Sequence, residues 1–122
     1  MLLPSISEAA NWVEISQGLW MDTTSVSQKG AYKKAWFKYT HAKAEDGNQF
    51  TKYKQYNETK DLTYFDCKSR ESSTIEIFYY MDTEFLGSYS SQVLPSLFSE
   101  VAPDTIGELE LNLVCNKKTL RQ

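Results

Sequence analysis

Much of the chain is built from short stretches whose apolar residues recur at every second position, separated by polar breaks. That pattern predicts half-buried β-strands joined by turns. In "NWVEIS" (11–16) Val13 and Ile15 fall on one side and Trp12 and Glu14 on the other. "GLWMD" (18–22) follows after the break Ser16-Gln17 and opens on a glycine, which suits a tight hairpin. In "AYKKAWFKY" (31–39) Ala31, Lys33, Ala35, Phe37 and Tyr39 alternate with Tyr32, Lys34, Trp36 and Lys38, and the small and aromatic set is the expected core face. "LTYFDCKS" (62–69) places Thr63, Phe65, Cys67 and Ser69 on one face, "TIEIFYY" (74–80) is strongly β-prone, and "FLGSYSSQ" (85–92) follows the turn "MDTE" as a second hairpin.

Two segments depart from this rhythm. Residues 40–60, "THAKAEDGNQFTKYKQYNETK", are polar apart from Phe50, Tyr53 and Tyr56, with a turn signal at Asp46-Gly47-Asn48. They read as a long exposed excursion, with room for one short strand around 50–56. The other is "APDTIGELELNLVC" (102–115). By period alone Leu109, Leu111 and Leu113 make a strand, but the proline, a Thr105 cap and Glu108 three residues later form a capping box. Ile106, Leu109 and Leu113 share a helical face, Leu111 and Cys115 form a second stripe, and Leu and Glu favour helix. The segment is read as a helix.

Length and charge narrow the function. A chain of 122 residues is one ordinary domain, assigned to 11–122, with 1–10 as a leading segment. "MLLPSISEAANW" has no basic n-region or apolar core of signal-peptide length, and Met1 to Pro4 are read as an added start in place of a removed signal. Thirteen basic and sixteen acidic side chains give a net charge of −3, which argues against a nucleic-acid partner. Catalysis finds no footing. His41 is the single histidine and sits at the edge of the polar excursion, "AED" and "ELE" read as solvated carboxylates, and the five glycines are isolated. No enzyme activity, metal or cofactor is expected.

The two cysteines, Cys67 and Cys115, are too far apart for a CxxC motif, and one histidine leaves too few ligands for structural zinc. Two independent buried thiols and one disulfide both remain open. A bridge closing a loop of this size would add about 4 kcal/mol in the chain-entropy model.

Lysines interleave with aromatics in "YKKAWFKY" and "FTKYKQYNETK". Such a surface can hold a protein partner by cation–π and charge contacts, with Lys52, Tyr53, Lys54, Tyr56 and Lys60 the candidate binding residues. The plainer reading of 31–39 is an edge strand guarded by lysines, which leaves a route to a homodimer by edge pairing.

Three stretches, in order, resemble the surface-adhesin protein E family. "LWMDTTSVSQKGAYKKAWFKY" is similar to its hydrophobic–Asp–x–x–Ser segment and following aromatic strand. "YFDCKSRESSTIEIFYYMDTEFLGS" is similar to its cysteine-containing strand, next strand and acidic turn. "FSEVAPDTIGELELNLVC" is similar to its terminal segment ending in Cys. The resemblance covers about half of the chain. It implies a Cys67–Cys115 bridge, no catalytic centre, and an exported protein of a Gram-negative bacterium, periplasmic or at the outer-membrane surface. The family's namesake is an adhesin for host matrix proteins. Its basic–aromatic region falls on residues 50–66 here, where this chain has lysines but no arginine. Together these readings predict an α+β fold: an antiparallel sheet of about five to six strands, with a C-terminal helix packed on one face and tied by the disulfide. The function predicted is a non-enzymatic binding protein that contacts a host matrix or envelope protein. A periplasmic accessory or immunity-type inhibitor is the alternative, and a structural envelope component a third reading.

Overall fold

The structure is a computed structural model and describes residues 9–116, so the expectation for Met1 to Pro4 lies outside the described residues. Eight strands form one antiparallel sheet: β1 (Trp12–Ser16), β2 (Leu19–Asp22), β3 (Ser27–Lys29), β4 (Tyr32–Glu45), β5 (Tyr56–Asp66), β6 (Glu71–Met81), β7 (Glu84–Ser90) and β8 (Ser99–Glu100). One helix, α1 (Ile106–Cys115), closes the described chain. The order across the sheet is β1-β2-β4-β5-β6-β7, with β3 beside β4 and β8 beside β6.

The sheet therefore has eight strands, not the expected five to six. The strands missed are β3 and β8, of three and two exposed residues, too short to carry a period. Each prolongs a longer neighbour, β3 along the β4 edge that β2 occupies and β8 along the β6 edge that β7 occupies. A larger correction concerns residues 40–60. β4 continues through "THAKAE" to Glu45 and β5 starts at Tyr56, leaving only a ten-residue loop between them. Alternation is lost there because the strand passes a register shift between Thr40 and Glu45. No strand forms at 50–55, and Tyr56 opens β5. Gln49–Thr51 is a 3-10 turn capped by Asn48, and Lys52 and Tyr53 follow with φ of 56° and 65°. β4 also lies inside the sheet, between β2/β3 and β5, so 31–39 is no edge and offers no edge pairing for a dimer.

One side of the sheet carries the main core. Leu19, Met21, Ala35, Phe37 and Phe65 meet Leu111 and Val114 of α1, and all are buried. The expected face of 31–39 is confirmed in Ala35 and Phe37. On the helix the buried stripe is Glu110, Leu111 and Val114, whereas Ile106 is 44% exposed and Leu109 and Leu113 are half-buried. The stripe is turned from the expected one because a glutamate occupies it. Tyr39 donates a hydrogen bond to the Glu110 carboxylate, which satisfies that group beneath the helix. Thr105 accepts from the Glu108 N–H as expected of the cap, while the Glu108 side chain accepts from Asp104 N–H at 2.9 Å.

Cys67 is the first residue after β5 and is bonded to Cys115, the last of α1, with Cα atoms 5.7 Å apart. Arg70 adds a second tie, reaching Glu108 at 3.3 Å and Asn112 at 3.1 Å. The 46–55 loop lies over the rest of this side. Phe50 stacks parallel to Tyr79 and edge-on to Tyr89, and a Cβ on Gly87 would come within 1.9 Å of the Phe50 carbonyl oxygen. Only glycine lets the loop approach β7 so closely.

Candidate functional site

The structure separates the five residues singled out for binding. Lys52, Tyr53 and Lys54 project from the loop turn, with Tyr53 76% exposed. Tyr56 packs edge-on against Tyr79 and His41 on the side covered by helix and loop. Lys60 lies on the opposite side, with its ammonium 4.8 Å from the centre of the Tyr80 ring and 3.9 Å from the Glu58 carboxylate. Neither α1 nor the 46–55 loop covers that side; only the segment ending at Phe98 packs on it, over Leu62, Tyr64 and Ile75 at one end.

Pairing places the residues of this open face. Trp20 is opposite Lys38 and Lys38 opposite Lys60. Lys60 is opposite Phe78 and Phe78 opposite Ser88. Directly paired residues share a face, so this is one row across the sheet. The adjacent rows hold Trp36 opposite Leu62, and Glu58 opposite Tyr80, itself opposite Phe85. Two lysines face each other at the centre of an aromatic field. Aromatic rings hold them apart electrostatically: Lys38 Nζ sits 4.9 Å from the Trp12 ring and 5.3 Å from the Trp20 ring. Trp36 stacks on Phe78 at 5.6 Å, and Phe85 meets both Phe78 and Tyr80 edge-on.

Toward the other end, Phe98 stacks on Tyr32 at 4.7 Å, and Tyr32 meets Tyr64 edge-on. The segment leading to Phe98 exposes Val93, Leu94 and Leu97. Sequence reasoning chose Lys60 and noted the lysine–aromatic alternation of Tyr32, Lys34, Trp36 and Lys38, but missed the part of this face that β6 and β7 supply. The signal was present as the second half of each alternation: Tyr32, Lys34, Trp36, Lys38 on β4; Glu58, Lys60, Leu62, Tyr64 on β5; Glu76, Phe78, Tyr80 on β6.

The covered side has polar chemistry of its own. On this face of β4, β5 and β6 is a cleft of about 190 Å³, lined by Tyr39, His41, Tyr56, Thr59, Asp61, Ile77 and Tyr79. Burial pushes the Asp61 carboxyl up from 3.8 to about 6, against a hydrogen bond with Thr59 that lowers it. Burial likewise raises Glu110 from 4.5 to about 7, opposed by the Tyr39 hydrogen bond and reinforced by the nearby Asp61 charge. Tyr39 is raised far above the ordinary phenol value, first by burial and then by Glu110. Among the described residues no three His, Cys, Asp or Glu side chains gather closely enough to hold a metal ion.

A family model described as surface-adhesin protein E matches residues 12–116. The chain belongs to that family. Its fold is similar to solved protein E structures. Crystal form II of Haemophilus influenzae protein E superposes with a TM-score of 0.62 at 13% identity, over 95% of each chain. Protein E from non-typeable Haemophilus influenzae gives 0.61 at 13% identity, over 98% of this chain and 90% of that one. A further Haemophilus influenzae protein E structure gives 0.62 at 12% identity, over 97% and 93%. No curated protein sequence matches the chain.

In this adhesin-family chain the Asp–x–x–Ser stretch does structural work. Asp22 accepts from Asn11 N–H at 2.9 Å and from Thr24 N–H and hydroxyl at 3.0 and 2.7 Å. Ser25 donates to the Asp22 carbonyl and accepts from Trp36 N–H at 2.9 Å. The motif thus fastens the end of β2 to β4 and fixes the Trp36 row of the open face. Among the described residues no helix is long and apolar enough to cross a membrane.

Proposed function

We propose that the protein is an exported surface adhesin, that its partner is a host matrix or envelope protein, and that the open face of the sheet makes the contact. One observation carries this reading. α1, the 46–55 loop and the disulfide all lie on the other side; on this side the Phe98 segment covers only the end at Tyr32, Leu62 and Tyr64, and a half-exposed field of Trp, Phe and Tyr around Lys38 and Lys60 is left uncovered. Apolar patches of this kind on a rigid sheet mark interaction surfaces. Aromatic side chains bring large contact area at small entropic cost, and they dominate interface hot spots. The lysines, already held over rings, supply charge that a carboxylate of the partner can meet without further ordering. Export is supported by the disulfide, which forms and persists in oxidising compartments.

The turn carrying Lys52, Tyr53 and Lys54, exposed at the tip of the 46–55 loop, is proposed as a separate, smaller contact. The two contacts can be told apart. Lys38→Glu with Lys60→Glu, and Phe85→Ala, should each weaken binding to immobilised matrix proteins about tenfold or more, while melting temperature stays near that of the wild type. Lys52→Glu with Lys54→Glu should have a smaller, salt-sensitive effect. Wild-type binding by the open-face variants, with loss in the turn variant, would transfer the site to the turn.

A further inference from the structure

The cleft on the covered face of β4, β5 and β6 has no part in the open-face contact, and tyrosine rings and a carboxylate line it. Its walls are tyrosine rings. Tyr56 and Tyr79 stand at 80° with centres 4.9 Å apart, and His41 lies edge-on to Tyr56 at 6.1 Å. Tyr79 is fixed from behind by Phe50 and by a hydrogen bond with Asn48 of the loop, and Tyr39 is fixed by Glu110 of the helix. Asp61 stands among these rings. Its Oδ1 is buried without a hydrogen-bond partner. No lysine or arginine lines the cleft, and His41 Nδ1 is turned to Glu45 at 3.6 Å.

We propose that this cleft binds an organic cation, a guanidinium or alkylammonium head group, with Asp61 as its counter-ion and Tyr56 and Tyr79 as ring walls. Several aromatic faces around a carboxylate are the arrangement that desolvates and holds such cations. Guanidinium suits it well, being planar, weakly hydrated and able to lie against a ring while its N–H groups meet a carboxylate. About 190 Å³ is the liquid volume of roughly six waters, enough for such a head group with part of its alkyl stem. The cation also gives Asp61, whose hydrogen bond with Thr59 is neutral, the opposite charge it lacks among the groups facing it. The groups facing Asp61 are Tyr39, Tyr56, Tyr79 and His41 in or beside the cleft and Glu110 from the helix. None is a fixed positive charge, so binding a cation favours ionised Asp61. Affinity therefore rises with pH until Asp61 is fully ionised.

The test is titration of the isotopically labelled, oxidised full chain with agmatine, followed by amide NMR at about pH 5 and about pH 8. Saturable shifts confined to residues 56–61, 77–79 and His41, tighter at the higher pH, are expected. Asp61→Asn should weaken binding about tenfold or more and reduce its pH dependence to what Glu110 contributes, and Tyr56→Leu should weaken it with the pH dependence intact. Lys29→Glu, exposed on β3, should leave it unchanged. N-butylurea, which has a neutral urea in place of the guanidinium and no ammonium, should not bind. An arginine-containing peptide that outcompetes agmatine would mark a protein side chain as the source of the cation, and agmatine binding where the peptide does not would mark a small amine; both sustain the site. Equal binding of N-butylurea, equal binding by folded Asp61→Asn, or no saturable shifts at millimolar agmatine would overturn it.

Discussion

Burying Glu110 beneath α1 makes the stability of this fold depend on pH in a calculable direction. Its carboxyl titrates near 4.5 when unfolded and about 7 when folded, so between those values the native state holds a proton that the unfolded chain has released. The contribution is complete below about pH 4.5 and is lost as pH rises through about 7. A shift of this size corresponds to about 3 kcal/mol. Asp61, moving from 3.8 to about 6, adds a slope of the same sign at lower pH. Glu110→Gln keeps an acceptor for Tyr39 and has no proton to lose. Urea denaturation should show the wild type weakening up to about pH 7, whereas the variant keeps only the Asp61 slope below about pH 6 and is nearly flat above it; parallel curves would contradict the assignment. A second residue-scale prediction concerns the β6–β7 turn. Asp82 and Thr83 have φ of 49° and 72°, and a β-branched residue is costly there. Asp82→Asn with Thr83→Gly should raise stability by about 1 kcal/mol, read from the denaturation midpoint. A lower midpoint would show that the Asn57–Asp82 hydrogen bonds outweigh the backbone strain.

At the scale of elements, α1 depends on its anchor. Ten residues are too few for a stable isolated helix, and its buried surface is centred on Leu111 and Val114. The Cys67–Cys115 bridge spans 48 positions, and its loss should cost about 4 kcal/mol in the chain-entropy model. Cys67→Ser with Cys115→Ser should lower the denaturation midpoint correspondingly, with Leu111 and Val114 methyl resonances the first to broaden. An unchanged midpoint would mean that the helix holds by packing alone. The helix was legible in the sequence through its Thr105 cap and Leu-rich composition. Its orientation was not, because a buried Glu is visible as a core residue only once Tyr39 is known to face it. Strands with clean alternation were also legible, "AYKKAWFKY" and "TIEIFYY" above all. "THAKAE" was not, since the strand there runs through a register shift where period carries no signal.

The whole molecule is a two-sided sheet with unequal sides. One face is sealed by helix, loop and disulfide, which gives the rigidity. The other remains open, which gives the surface. Five residues in sequence proximity suggested one binding patch, yet alternation sends Lys60 to the open face while Tyr56 packs with Tyr79 and His41, and the turn removes Lys52 to Lys54 from both. Which lysines share a face is set by cross-strand register, and register becomes visible only when the strands are paired. Hydroxyl-radical footprinting of the free protein and of the protein bound to matrix tests the division of labour most directly. The account predicts protection of Trp20, Trp36, Phe78, Tyr80 and Phe85, with Tyr53 and Tyr56 nearly unchanged. Protection confined to Tyr53 and its neighbours, with the open-face rings labelled as in the free protein, would contradict it.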